Sequence, residues 1–498
     1  MKAFLMYKDQ DFDLQRNPPW NATELTQDLE LETLFNAMAR QDQLLFDVAK
    51  NAILSSLHND PNTILYRQDI LKDCLKNPFI VRGIYHLAVR VMESEKKHYW
   101  RFLSDYPSAI LDRSISVLQM LVTALKELRN IANVHAAKFQ SEGFTTLFAT
   151  LKTELSDEYF ATIQNHLKEL KFRKGVLTSV ELGQGNKGSN YVLRKSQSED
   201  QSWIERIFAD KASRCVVHIH PRDEAGAKAL SELRDRGIHL AANALAQSVD
   251  HIVSFFNMLR TELAFYLGCL NLHEQVSQMG EPMSFPLPVV TGKRRFSCKE
   301  LYDVCLALSM QRKVVGNDVN ADNRQLVIIT GANQGGKSTF LRSAGLAQLM
   351  MQSGMFVPAE SFSSNVCHGV FTHYKREEDS AMQSGKLDEE LSRMSEMVDN
   401  LKADSLLLCN ESFAATNERE GSEIARQIVT ALLEKQIKIF FVTHLYELAH
   451  GFYKKKIESA HFLRAERQPD GGRTFKLIEG EPLQTSYGED LYNRIFSL

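Results

Sequence analysis

Apolar residues over roughly positions 28 to 155 recur at helical intervals, Leu45, Val48, Ile53 and Leu57 among them, and glycine is almost absent there. This stretch predicts several long helices. Near residue 175 the period shortens, because Val176, Thr178 and Val180 alternate with their neighbours, Gly183 to Gly188 interrupts, and Tyr191, Val192 and Leu193 resume an apolar run. The pattern predicts a β-hairpin. Helical spacing returns from about 222 to 279, and Pro282, Pro286 and Pro288 then punctuate the chain, which places a domain boundary near 290. Beyond it, apolar runs at Leu326 to Thr330, Leu406 to Cys409 and Ile439 to Thr443 alternate with helical stretches at 338 to 352 and 421 to 434. Strand and helix in alternation predict a parallel sheet with right-handed crossovers.

Composition narrows the class. A length of 498 residues allows more than one buried core, with about three units as the length-based expectation. With 44% hydrophobic and 24% charged residues the chain matches a folded soluble protein, which excludes collagen-like, low-complexity and mostly disordered classes. Only 25 glycines and 12 prolines are present, so tight turns are few and helix is favoured. The net charge of −3 provides no overall attraction for nucleic acid, so any such contact needs a local patch. Seven cysteines without a CxxC pair fit reduced thiols and a cytoplasmic location. No run of 18 apolar residues occurs and Lys8 and Asp9 interrupt the N-terminus early, so neither a membrane span nor a secretory signal is expected.

The clearest chemistry follows the first strand of the second half. Gly331-Ala332-Asn333-Gln334-Gly335-Gly336-Lys337-Ser338 has the form G-x-x-x-x-G-K-S, lying between an apolar strand and a helix that runs from Ser338 and Thr339 through Phe340, Leu341, Ala344, Ala347 and Met350 to Gly354. A polyphosphate needs converging backbone N–H groups unobstructed by side chains, plus the positive end of a helix. Residues Gly331 to Thr339 are therefore the predicted nucleotide cradle. Lys337 would reach the outer phosphates, and Ser338 would offer its hydroxyl to Mg²⁺. By contrast, Gly183, Gly185 and Gly188 fit G-x-G-x-x-G but precede a strand, so they are expected to turn a hairpin and not to bind a dinucleotide.

Hydrolysis requires a group that orients water and a sensor for the terminal phosphate, placed at neighbouring strand ends. Ser405-Leu406-Leu407-Leu408-Cys409 ends in Asn410-Glu411, and Ile439-Phe440-Phe441-Val442-Thr443 ends in His444. Glu411 is the predicted general base and His444 the predicted sensor, with a strand-capping histidine as the plainer reading of His444. Leu387, Leu391, Met394 and Val398 mark an amphipathic helix that begins just after Ser384-Gly385. That dipeptide would offer free helix N–H groups to a phosphate, or else Ser384 is an ordinary helix cap.

The ordered set Gly331-to-Ser338, Phe356-Val357-Pro358-Ala359, Ser384-Gly385-Lys386, Asn410-Glu411, Phe441-Val442-Thr443-His444 and Ser486-Tyr487-Gly488 resembles the ATPase domain of MutS-type DNA mismatch-repair proteins, within the wider ABC-type ATPases. The resemblance extends upstream to Thr63-Ile64-Leu65-Tyr66-Arg67-Gln68-Asp69-Ile70-Leu71, similar to the start of the family's helical core. It implies a mixed fold: an all-α helical core and lever over 1–290 with a small β insertion near 175–195, then an ABC-type P-loop α/β ATPase domain over 291–498. It also implies ATP and Mg²⁺ as cofactors, with Ser338 and Asn410 facing the ion, and a homodimer in which Ser384 and Gly385 reach across to the other chain's nucleotide. The dimer would close on DNA, mismatched or branched.

Three departures qualify these implications. Asn410 stands where most phosphate-loop ATPases carry aspartate, so the charge that holds the ion is missing and slow hydrolysis is expected. The segment around Lys386-Leu387-Asp388 is shortened, which bears on the phosphate contact of Ser384. The mismatch-reading domain is expected to be missing, since no Phe-x-Glu occurs in the first 50 residues, and the C-terminal helix-turn-helix tail likewise. For DNA the best local patch lies within 166–195, where Lys168, Lys171, Arg173, Lys174, Lys187, Arg194 and Lys195 face only Glu169 and Glu181; a solvated hairpin face is its plainer reading. Cys215-Val216-Val217-His218-Ile219-His220 suggests metal ligands, yet on a strand Cys215 would face away from both histidines, so zinc is not expected. The leading reading is a MutS-like ATP-dependent DNA-binding protein of repair or recombination. Two others stay open: an ATP-binding scaffold without hydrolysis, and an ABC-type ATPase acting on a protein partner.

Overall fold

The computed structural model describes residues 1–58, 60–101, 106–173, 175–195, 216–290, 292, 294–376, 385–469 and 471–484. The first half is helical, as its periodicity predicts: α1 (Ala22–Asp28), α2 (Leu31–Ala39), α3 (Gln43–Leu54), α4 (Pro61–Lys76), α5 (Pro78–Arg101), α6 (Pro107–His135), α7 (Glu142–Glu154) and α8 (Asp157–Glu169). Local chemistry sets several starts. Asp60 accepts a hydrogen bond from the Thr63 amide while Pro61 occupies the first turn of α4, and Ser156 caps α8 through the Tyr159 amide. Strands β1 (Leu177–Leu182) and β2 (Gly188–Arg194) follow, then α9 (Glu224–Gln278), whose 55 residues make it about 80 Å long.

After residue 280 the chain alternates: β3 (Leu287–Val289), β4 (Phe296–Leu301), α10 (Val304–Met310), β5 (Asn317–Asn320), β6 (Leu326–Gly331), α11 (Lys337–Gln352), β7 (Ser361–Asn365) and β8 (Val370–Tyr374). Then come α12 (Lys386–Asn400), β9 (Leu406–Asn410), α13 (Glu418–Glu434), β10 (Lys438–Val442), α14 (Tyr446–Lys454), β11 (Ala460–Arg467) and β12 (Arg473–Glu479).

These elements form two compact units that interleave in sequence. Unit 1 comprises residues 1–3, 82–137 and 145–260, and unit 2 comprises residues 4–81, 138–144 and 261–498. The change of pattern near 290 thus falls inside unit 2. In unit 1 the helices bury Leu118, Leu121, Leu125, Phe148, Leu151, Phe160 and Phe256, and β1 pairs antiparallel with β2 from Leu177 opposite Arg194 to Leu182 opposite Gly188. Gly183, Gly185 and Gly188 do turn this hairpin. Among the described helices, the span of α6 and its following turn is the one long and apolar enough to cross a membrane, and half of that stretch is buried in the fold.

Unit 2 is built on a six-stranded sheet in the order β12-β11-β6-β10-β9-β8. Neighbours from β11 to β8 run parallel, and β12 adds an antiparallel edge. Every residue of β6 is buried, which is why it reads as a continuous apolar run. The opposite edge, β8, is met by the N-terminal region, where Trp20 packs on Phe371 and the Asn21 side-chain amide donates to the Val370 carbonyl at 2.9 Å. A second, four-stranded sheet in the order β3-β7-β4-β5 was not evident in the sequence; Pro288 lies on its edge strand, where a missing N–H is tolerated. The fully buried Glu262 of α9 fastens the start of the chain, accepting from the Leu5 amide at 2.6 Å and the Phe12 amide at 3.1 Å.

Candidate functional site

Strand β6 delivers the chain into a turn, and α11 leaves it. Gly331 has φ of 104°, and a Cβ there would stand 2.8 Å from the Ala465 amide nitrogen of neighbouring β11. Gly336, at φ 89°, precedes the helix, and no side chain caps the first turn of α11. Both positions lie at positive φ, which favours glycine, and at Gly331 the close approach of Ala465 adds to that need. The uncapped N–H groups of α11 give the turn a positive electrostatic end. Lys337 is nearly buried and donates through Nζ to the Gly331 and Ala332 carbonyls, both at 2.9 Å. Burial pushes its ammonium down to about 8, opposed by the negative charge of Glu411 and reinforced by Arg473.

The parallel register sets the remaining groups beside this turn, since Val442 of β10 lies opposite both Ile329 of β6 and Asn410 of β9. Ser338 Oγ donates to Asn410 Oδ1 at 2.8 Å. Glu411 follows in left-handed backbone at φ 56°, a strained conformation fixed by its amide bonding to the Val442 carbonyl at 2.9 Å. His444 Nε2 lies 2.8 Å from Glu411 Oε1. That hydrogen bond is the main cause holding the Glu411 carboxyl below its ordinary value, with the charges of His444, Lys337 and Lys375 adding to it against desolvation. The predicted base and sensor are therefore one hydrogen-bonded pair, and each is about a third exposed.

Of these groups, Ser338 and Asn410 border a cleft of about 810 Å³ that reaches to Gln27, Asp28 and Glu30 and also includes Thr339, Arg342, Lys375, Arg376 and Glu389. Arg342 is fixed by the fully buried Asp303 carboxylate at 2.5 Å and by Glu30. The two groups expected to face Mg²⁺, Ser338 Oγ and Asn410 Oδ1, are neutral oxygens bonded to one another, and no cluster of three His, Cys, Asp or Glu side chains suited to a metal occurs among the described residues. Such a pair fits an ion that arrives already bound to phosphates, not one the protein holds by itself.

Two comparisons bear on this geometry. The MutS2 N-terminal domain model matches residues 59–279, and the MutS domain V model matches residues 327–493, which contain the turn and the strand ends just described. The chain belongs to the MutS-like family. It is 27% identical over 288 residues to the DNA mismatch repair protein MutS of Acetivibrio thermocellus, covering 57% of this chain and 33% of the relative. Against the MutS of Clostridium kluyveri it is 23% identical over 428 residues, covering 79% and 48%, and against the Endonuclease MutS2 of Streptococcus equi subsp. equi it is 27% identical over 403 residues, covering 80% and 50%. The chain thus spans a third to a half of the length of these relatives. For the helical half the matching model is that of the MutS2 branch, a distinction the sequence motifs did not make.

Other predicted residues of this MutS-like chain fall into place unevenly. Asn333 is braced by the Arg473 guanidinium, which donates to its carbonyl at 3.2 Å, and Gln334 takes left-handed backbone at φ 56°. Gly385 is exposed and immediately precedes α12, in which, of the expected apolar face, Met394 is buried and Leu387, Leu391 and Val398 are partly buried. Ser384 and the Ser486-Tyr487-Gly488 motif lie outside the described residues, as do Lys174 and Cys215. Residues 216–220 form no strand.

In unit 1 the basic patch divides. Lys168, Arg173, Arg194 and Lys195 share the wall of one groove of about 910 Å³, with Ile163, Leu167 and Leu245 in its apolar floor. Lys187 stands at the hairpin tip, roughly 20 Å along the strands from Arg194. Lys171 is exposed in the turn between α8 and β1, and Lys195 is partly neutralised by Glu169 at 3.0 Å. Lys375 and Arg473, which sequence reading passed over, carry no motif; only strand register and the fold of the β11–β12 hairpin bring them to the site.

Proposed function

We propose that this chain is an ATP-dependent DNA-binding protein of DNA repair or recombination, in which ATP held at the 331–339 turn switches a dimer between open and DNA-holding states. The observation that carries the reading is the meeting of Lys337, Ser338, Asn410, Glu411 and His444 at three adjacent parallel strand ends around an uncapped helix start. Backbone amides of Gly331 to Thr339 and the Lys337 ammonium bind the phosphates, displacing the lysine from its two carbonyl partners. Ser338 and Asn410 face the Mg²⁺ that accompanies ATP. The Glu411 carboxylate, kept ionised, accepts a proton from the attacking water, and His444 orients that carboxylate while its ring lies near the terminal phosphate.

In the dimer, Lys337 of one chain and Ser384 of the partner subunit, with its neighbouring glycine, clasp the same nucleotide. Coupling to DNA then follows from the difference in ATP affinity between open and closed arrangements. Asn410 favours a second reading, a scaffold that binds ATP without turning it over, because the anionic ligand of the ion is missing.

The test is a gel shift against homoduplex, mismatched and branched DNA with and without ATP, run beside ATP turnover and solution mass. ATP-dependent retention of DNA by a dimer supports the proposal; retention of none of these duplexes in either condition sinks its DNA part. Turnover without DNA binding would point to a protein substrate.

A further inference from the structure

We propose that Lys375 is a phosphate-binding residue that replaces much of the positive charge magnesium contributes elsewhere, so that this site takes a nucleoside triphosphate with little dependence on the metal. The inference rests on the reading that the 331–339 turn binds ATP, and it goes beyond that reading in assigning the charge.

The placement follows from the sheet. Strand β8 runs parallel to β9 with Tyr374 opposite Asn410, and the next amide, that of Lys375, donates to the Asn410 carbonyl at 3.0 Å. The lysine backbone is therefore pinned beside the residue that faces Ser338. Its side chain lines the same cleft as Ser338, Thr339 and Asn410.

The other cations of that cleft are already committed. Arg342 is held by Asp303 and Glu30, and Arg376 lies 3.8 Å from Glu24. Lys375 is exposed, and no carboxylate among the described residues lies within ion-pair distance of it. An ammonium on a flexible stem, free to move a few ångströms, suits compact phosphate oxygens. The chemical logic is a balance of charge. Where aspartate gives way to Asn410, the protein's hold on the ion weakens, and a lysine without an ion-pair partner among the described residues, one residue beyond the adjacent strand, supplies positive charge on the same side of the phosphates.

The experiment measures binding of a fluorescent ATP analogue to the full chain in EDTA and in magnesium buffer. For the unaltered protein the two affinities should agree within about threefold, and Lys375→Gln should weaken binding about tenfold or more in EDTA and far less in magnesium. Lys375→Arg, which keeps the charge, should bind in EDTA like the unaltered protein. Since Lys375 is exposed, a matching thermal melt checks that the fold is intact. A loss of about a hundredfold on removing magnesium from the unaltered protein, or a Lys375→Gln chain indistinguishable from it in EDTA, overturns the proposal. Lys337→Ala separates the two levels of the argument: nucleotide binding that survives it, or that is absent from the unaltered chain in both buffers, overturns the ATP reading itself.

Discussion

His444 Nε2 lies 2.8 Å from Glu411 Oε1, so the carboxylate that would activate water is aimed by a ring from the neighbouring strand end. Because an ionised carboxylate only accepts, the imidazole carries its hydrogen on Nε2. Glu411→Gln keeps an oxygen for that N–H but removes the base. ATP turnover should fall by about 10²- to 10⁴-fold while ATP still binds, as followed by single-turnover phosphate release beside a binding titration. An unchanged rate would remove Glu411 from the chemistry. The depressed Glu411 pKa has a further consequence of fixed sign: the stabilisation it reflects is present above the ordinary value of 4.5 and is lost as pH falls through the lower folded value.

Lys337 illustrates a site that works against stability. Its folded value of about 8, below the ordinary 10.5, means that the folded chain binds fewer protons than the unfolded chain between those limits. Stability therefore gains as pH rises through that window, and at neutral pH the buried ammonium is a cost. Lys337→Met should raise the unfolding free energy at pH 7 by about 1–2 kcal/mol, read by urea denaturation, and should abolish the added stability that ATP gives the unaltered protein. A variant that is less stable and still gains from ATP would contradict both halves.

Glu262 predicts the opposite pH response in unit 2. Burial raises its carboxyl to about 7, against the backbone amides of Leu5 and Phe12 that favour the ionised form. The folded chain then binds more protons than the unfolded chain between 4.5 and about 7, so stability declines as pH climbs through that interval. Glu262→Gln should flatten this decline, worth up to about 3 kcal/mol, in melting temperatures recorded from pH 5 to 8. If both proteins show the same slope, another group governs it.

The contrast between Lys337 and Lys375 shows what the sequence could and could not convey. The strand, glycine turn and helix around Lys337 are contiguous, so local pattern was enough, and the strand ends at Asn410 and His444 were legible because β9 and β10 are buried on both faces and read as apolar runs. Lys375 comes to the cleft of Ser338 and Asn410 only because β8 pairs with β9, a relation between residues 36 positions apart that no periodicity records. The sheet of β3, β7, β4 and β5 was missed for a similar reason: β3 has three residues and β5 four, too short for alternation to stand out. The interleaving of the two units, with residues 4–81 joining 261–498, is likewise a matter of long-range burial around residues such as Glu262. On the DNA side, a count of charges over 166–195 treated as one patch what the hairpin separates.

That separation makes the DNA patch testable in two parts. Arg173 and Arg194 share the groove wall, and Arg194 is positioned by a bond from its Nε to Ser179 Oγ at 2.9 Å, whereas Lys187 stands alone at the hairpin tip. A duplex backbone follows a contiguous strip of charge, and each phosphate contact contributes about 0.9 to the slope of log affinity against log salt. If the groove wall is the contact, Arg173→Glu with Arg194→Glu should weaken DNA binding and lower that slope by about 2, and Lys187→Glu should do little. If instead the tip enters a groove of the duplex, Lys187→Glu should have the larger effect. Equal affinity and slope for all three proteins in salt-series gel shifts would assign the hairpin's charge to solvation and move the search for a DNA surface elsewhere.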